Sequence, residues 1–230
     1  MAANRERGSP WAPFRPLVAL AAAITWWSGA LARAPGSIAS QVKNIDGASF
    51  KSNIAPQNSP PLKLVGGGTR LKYNVVKVYS IGIYIEARTP TPMKKYLGLP
   101  LKNLDKSFFD AAIKGSFPKA LVLVFHRSVS ADAVVDALRD ALSSKLSKAT
   151  LSLFRAALLK TLGEGVSRGT ELTLSCKGAS LRMSRPFPGA INAVNDKGIC
   201  PALFNVYLGD SPVSASAKEG FASGFATMSS

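Results

Sequence analysis

Residues 75–86, VVKVYSIGIYIE, carry Val75, Val76, Val78, Ile81, Ile83 and Ile85 in one short run. β-branched side chains at that density are stiff at χ1 and fit a pleated surface better than a helix, so the run reads as a strand. Asn74 just ahead of it is a turn residue, and 62–73 before that reads as a second extended arm. The two arms meet near Asn74. An antiparallel pairing of these arms is therefore the feature around which the rest of the chain has to fold.

The remaining segments supply more strands and a layer of helices. TPMKKYLGL (91–99) opens with a Thr cap and Pro in the first turn, and KSFFDAAIKG (106–115) starts behind Ser107 and stops at Gly115. ALVLVFHR (120–127) is a continuous apolar run of strand length, as expected of a buried central strand. Behind Ser130, the residues Val134, Leu138, Leu142 and Leu146 recur every four positions, the stripe of an amphipathic helix. TLSLFRAALLKTLG (150–163) repeats that logic with Phe154, Leu158 and Leu162. TELTLSC (170–176) and SLRMS (180–184) form a hairpin across KGA, and 196–209 and 214–225 close the chain as two helices. Ahead of the first long arm, 49–54 is a short β-like piece in a polar, Gly/Ser/Pro-rich stretch that ends at Pro60 and Pro61. Strands, a helical block, a hairpin and then helices is an α+β order, with helices packed on an antiparallel sheet.

The chain has 230 residues, 47% hydrophobic and 18% charged, which suits one well-buried domain with an extension and excludes a disordered or collagen-like chain. The extension is N-terminal. Arg5, Arg7 and Arg15 precede the apolar run 16–27, and SGALARA follows it, in the order of a secretory signal with cleavage after Ala32. With Glu6 the one acidic residue in the first forty, the same segment could begin a two-part leader for a plastid. We therefore expect a targeting segment at 1–32, a linker at 33–44 and one domain at 45–228. Removing 1–32 takes away three Arg and one Glu, lowering the net charge from +16 to +14, so the domain itself is basic. Its Lys and Arg are scattered, and no DNA or RNA motif accompanies them, so nucleic acid is not the expected partner. A basic face does gain from anionic lipid, which allows peripheral association with a membrane. Of the two cysteines, Cys176 falls in a strand-like alternation where a buried free thiol is the expectation, with a Cys176–Cys200 bridge as the alternative.

The usual catalytic sets are missing. His126 is the single histidine and ends an apolar strand, no serine stands in G-x-S-x-G, and Asp132, Asp136 and Asp140 read as the solvated face of a helix rather than a metal stripe. One histidine and two cysteines cannot supply four soft metal ligands, and no cofactor motif is present. Gly66–Gly67–Gly68 lacks the Lys-Ser/Thr pair and the following helix of a phosphate loop. What it leads to is Arg70, with Tyr79 nine residues on. Such an arginine is either simply exposed or an anion anchor, since a guanidinium in an apolar cleft pairs bidentately with a carboxylate and a tyrosyl hydroxyl adds a hydrogen bond.

GGGTR, KVYSIGIYIE, FFDAAIKGSFPKAL, VLVFHR, SADAVVDALRDAL and ICPALFNVYLGDSPVS, taken in this order over about residues 45–225, resemble the chalcone isomerase fold family. The resemblance implies an open-faced β-sandwich, a large antiparallel sheet covered on one face by helices. It also offers two activities, isomerisation of a chalcone to a flavanone, or binding of a fatty acid in the same cleft by members that have lost the chemistry. The enzymes carry a tyrosine where this chain has SADAVV, around Ala133, and no tyrosine occurs between Tyr96 and Tyr207. Tyr79 stands where the enzymes have threonine, Asp140 where they have asparagine, and their late Ser/Thr falls near Val206. The resemblance thus implies a non-catalytic protein that holds a fatty acid or similar amphipathic carboxylate. Arg70 would anchor the head group, Tyr79 would donate a hydrogen bond, and Ile81, Ile83, Phe125, Leu138 and Phe204 would form the pocket or the core beneath it. An isomerase with Arg70 as electrostatic stabiliser, and a scaffold using its basic surface, are the alternatives.

Overall fold

The structure is a computed structural model in which residues 41–228 are described; the leader expected at 1–32 lies outside them, as does most of the 33–44 linker. In chain order the strands are β1 (Val42–Ile45), β2 (Ala48–Lys51), β3 (Asn53–Ile54), β4 (Leu62–Lys72), β5 (Val76–Glu86), β6 (Lys119–Phe125), β7 (Val129–Ser130), β8 (Gly165–Val166), β9 (Glu171–Lys177), β10 (Ser180–Ser184) and β11 (Ile191–Asn195). The helices are α1 (Thr91–Lys94), α2 (Lys106–Lys114), α3 (Ala131–Leu142), α4 (Lys148–Leu162), α5 (Ile199–Leu208) and α6 (Ala215–Ala226). Seven strands form one antiparallel sheet in the order β11-β10-β9-β6-β5-β4-β3, which puts the apolar run of β6 at its centre as its composition requires.

Each sheet face buries its own cluster, because side chains alternate along a strand. Ile81, Ile83, Leu121, Leu123, Leu172, Leu174 and Met183 face the helices. Leu64, Tyr84, Ala120, Val122 and Val124 face the other way and are met by Ala48 and Phe50 of the β1–β2 hairpin. Gly82 makes room there, since a Cβ would press on the Phe50 ring. The architecture is the α+β, open-faced β-sandwich expected, with a single hairpin as its partial second layer.

Three local expectations change. Asp105, not Ser107, caps α2: its carboxylate accepts from Ser107 N at 2.9 Å and Phe108 N at 3.4 Å, one residue pair ahead of where the serine would act. α1 is a single turn behind Pro90, cut short before Gly98, whose φ of 73° no regular helix accommodates. β11 was not legible, because INAVN is a five-residue edge strand with mostly exposed side chains behind a Pro- and Gly-rich stretch. The cysteines are a fourth correction. Cys176 and Cys200 are bridged, with Cα atoms 5.8 Å apart, joining β9 to α5. The strand alternation correctly buries Cys176, but it carries no information on which helix residue lies across from it.

The buried ammonium of Lys119, 1% exposed, closes the last turn of α2 by donating to the carbonyls of Ala112, Ile113 and Gly115 at 2.7, 2.7 and 2.8 Å. A cation belongs at that negative helix end, yet burial still pulls its pKa from 10.5 down to about 7. Between those values the unfolded chain keeps a proton that the folded chain has shed, so rising pH favours folding through this group. The contribution is complete above the unfolded value and is lost as pH falls through about 7. The wild-type chain should accordingly gain stability relative to Lys119→Met between pH 7 and 10 in denaturant titrations; parallel pH slopes would contradict this.

Candidate functional site

Arg70 and Tyr79 are directly opposed across β4 and β5, and Tyr79 is opposed in turn to Phe125 on β6, so the three form one row across the sheet. The chain reverses as expected at Tyr73 and Asn74, with φ of 53° and 58°, the combination of a type I′ turn. The register beside the turn, Lys72 with Val76 and Leu71 with Lys77, would by itself set Arg70 opposite Val78. Instead the pairing slips by one residue between Arg70 and Leu71, leaving Val78 as a bulge. Bulges re-aim side chains, and here Val78 and Tyr79, neighbours in sequence, both reach the same cavity wall.

That cavity, about 580 Å³, lies between this end of the sheet and α3. Phe125, Val134, Ala137 and Leu138 make its apolar wall, Arg70, Lys72 and Arg127 bring three positive charges, and among the described residues no carboxylate lines it. Of the residues expected at the site, Arg70, Tyr79, Phe125 and Leu138 line the cavity. Ile81, Ile83 and Phe204 do not: they are 0%, 0% and 1% exposed and belong to the core. Ile81 and Ile83 lie further along the strand, and the Phe204 ring packs under the Lys119 ammonium at 4.6 Å.

Arg70 is half-buried and donates from Nη1 to the Val213 carbonyl at 3.1 Å. That carbonyl is held in the α5–α6 connection, where Val213 N donates to Val206 O. One arm of the guanidinium is thus fixed, and Arg70 forms no ion pair among the described residues. The hydroxyls of Tyr79 and Tyr207 are 3.1 Å apart. Burial raises the pKa of both, so both are neutral phenols at physiological pH. A buried phenol needs a partner, and when Tyr207 donates to Tyr79 the Tyr79 proton is left for an acceptor in the cavity. Tyr207, Lys72 and Arg127 escaped the sequence reading. Lys72 was the findable one, two residues from Arg70 and so on its face of the strand; Tyr207 gave no signal beyond being an aromatic in an apolar helix.

His126 lies elsewhere. Its Nε2 is 2.8 Å from Ser80 Oγ, which is 2.8 Å from Thr69 Oγ1, which donates to Asp46 Oδ2 at 2.5 Å. Burial, with Lys77 and Arg168 nearby, holds the imidazole pKa below its ordinary value. Ser80 is fully buried, so this chain of hydroxyls fastens the β1–β2 turn to the sheet rather than presenting a nucleophile. Asp132 pairs with Arg155 at 3.1 Å, and Asp136 and Asp140 with Arg139 at 3.2 and 3.0 Å, the surface ion pairs of a solvated face.

The family profile described as chalcone isomerase-like matches residues 42–221, the whole sheet and the first seven residues of α6. The chain belongs to the chalcone isomerase-like family. Fatty-acid-binding protein 2 of Arabidopsis thaliana is 25% identical over 184 residues, which cover 74% of this chain and 46% of that protein. The chain thus spans about half the length of the curated relative it matches. A crystal structure of a fatty-acid binding protein of Arabidopsis thaliana shares the fold with a TM-score of 0.64, over 79% of this chain and 94% of that one, at 21% identity.

Proposed function

We propose that this chalcone isomerase-like chain binds a fatty acid or similar amphipathic carboxylate without transforming it. The carrying observation is a half-buried arginine in an apolar cavity that no acidic residue lines among the described residues. Such a guanidinium is poorly compensated when the cavity is empty and gains most from an anion that brings its own apolar body. The carboxylate would lie against Arg70 and accept from Tyr79, with the chain running along Phe125, Val134 and Leu138. The relatives named as fatty-acid-binding proteins support this reading. The apolar leader and the Cys176–Cys200 bridge together favour delivery through the secretory route, to the exterior or to a plastid.

Extraction of the purified chain should release fatty acid to mass spectrometry, and titration with a medium-chain fatty acid should give an affinity that Arg70→Ala lowers by about 10- to 100-fold, the range of a lost charge-assisted bidentate contact. Equal affinity for the two proteins would overturn the assignment of Arg70. Flavanone formed from a chalcone well above the spontaneous rate would favour the isomerase instead.

A further inference from the structure

The described residues expose seven large apolar side chains, and three of them, Leu71, Tyr73 and Val75, fall within five positions at the tip of the β4–β5 hairpin. Tyr73 is 81% exposed and Val75 77%. Folding does not select them. A tyrosine at a φ of 53° occupies a backbone region that bulky residues rarely adopt, where Asn or Gly would serve the turn better. Nor are they scattered surface residues, because the same segment carries Lys72 and Lys77 and no acid, and the Lys72 ammonium stands 5.2 Å from the Tyr73 ring. Among the described residues Lys77 donates to the Asp46 carbonyl and forms no ion pair, while the Asp46 carboxylate accepts from Thr69. An aromatic ring, a branched aliphatic and flanking lysines on a protruding turn match the chemistry of a bilayer interface with anionic headgroups.

The tip is also next to the mouth of the cavity. Lys72 and Arg127 are both exposed and both line it, so the cavity opens on the side where the hairpin projects. We propose that the β4–β5 tip is a docking element for an anionic lipid surface, inserting Tyr73 and Val75 between headgroups so that the cavity mouth faces the interface. Docking in itself stands on the hairpin alone; its purpose, exchange of a lipid between bilayer and cavity, rests on the function proposed above. It would shorten the path by which a poorly soluble ligand enters, and it would give the basic charge of this end of the sheet a use beyond solubility.

The test uses the full chain, in which the native cysteines are bridged and an introduced thiol can be labelled alone. Tyr73→Cys carrying an environment-sensitive fluorophore is mixed with phosphatidylcholine vesicles with or without phosphatidylglycerol. Leu153→Cys, on the exposed face of α4, is the control that reports any tethering by other parts of the chain. The label at 73 should shift to the blue with phosphatidylglycerol vesicles, and the label at 153 should not. In the unlabelled chain, Lys77→Gln should weaken vesicle binding about fivefold at low salt, and Tyr73→Ser with Val75→Ser should slow transfer of a fluorescent fatty acid from vesicles while leaving its affinity in solution unchanged. No shift at 73, or the same shift at both positions, overturns the proposal. The two readings fail separately: a chain that docks but binds no fatty acid defeats the function proposed above, whereas one that binds fatty acid without docking defeats this inference.

Discussion

Replacing Gly220 with alanine should destabilise the folded chain by about 1–3 kcal/mol, the usual cost of forcing extra atoms into a packed interior. Helix propensity alone has the opposite sign, because alanine in mid-helix is favoured over glycine by about 1 kcal/mol. The difference comes from where Gly220 sits. A Cβ there would overlap the carbonyl of Gly67, a Cβ on Gly66 would overlap the carbonyl of Gly220, and one on Gly224 would overlap the carbonyl of Val65. Strand β4 and helix α6 meet backbone to backbone, with no side chain between them. Ser223→Ala, on the exposed side of the same helix, supplies the control for propensity, and thermal or denaturant unfolding of the two variants reads the sign directly. A Gly220→Ala midpoint at or above that of the wild type would remove the close-approach account. The effect should extend to the cavity, because the start of α6 grips β4 beside Arg70. Ser214 Oγ donates to Thr69 O at 2.9 Å, Thr69 N donates to Ser216 Oγ at 3.0 Å, and Arg70 itself reaches Val213 O.

The triple glycine shows where sequence reading reaches and where it stops. Composition alone marks 66–68 as a place where side chains are not wanted, and the absence of a Lys-Ser/Thr pair rightly removes a phosphate loop. The reason for the glycines is invisible from the segment itself. For Gly66 and Gly68 it depends on Gly220 and on Ser216 and Ala217 of α6, about 150 residues later, and for Gly67 on the Ile81 carbonyl of the neighbouring strand. The arginine is thus positioned by a helix that the glycines allow to dock, rather than by flexibility in the approach to it.

Local pattern was sufficient for the sheet apart from its β11 edge and for most of the helices, since period-2 and period-3.6 burial are written within those segments. The pairing of Arg70 with Tyr79 depends on the reversal near Asn74 and on the slip at Val78, and of the two only the reversal was legible. The bulge at Val78 was not, because register depends on the partner strand. Ile81, Ile83 and Phe204, offered for the pocket or the core beneath it, are core, because the cavity occupies only one end of the helix-facing side of the sheet. Tyr207 and the Val213 carbonyl entered the site through tertiary contacts alone.

The bridge between Cys176 and Cys200 leads to the second large effect. The two residues are 24 apart, and closing a loop of that length removes enough freedom from the unfolded chain to contribute about 3 kcal/mol in the chain-entropy account. For a chain of this size, that should lower the unfolding midpoint by about 6–12 °C when the bridge is removed. The double variant Cys176→Ala with Cys200→Ala is the cleaner probe, since both sulfurs are buried and serine would leave hydroxyls seeking partners. Thermal unfolding of the wild type with and without a phosphine reductant should show the same drop, and the denatured, unreduced chain should yield no titratable thiol. Equal midpoints, or two free thiols, would count against the bridge. The loss should also reach the site, because the bridge pins α5 to β9 and α5 carries Tyr207, the partner of Tyr79. If the function proposed above holds, a reduced chain should therefore bind fatty acid less tightly even where it remains folded, since Tyr79 would lose its fixed partner.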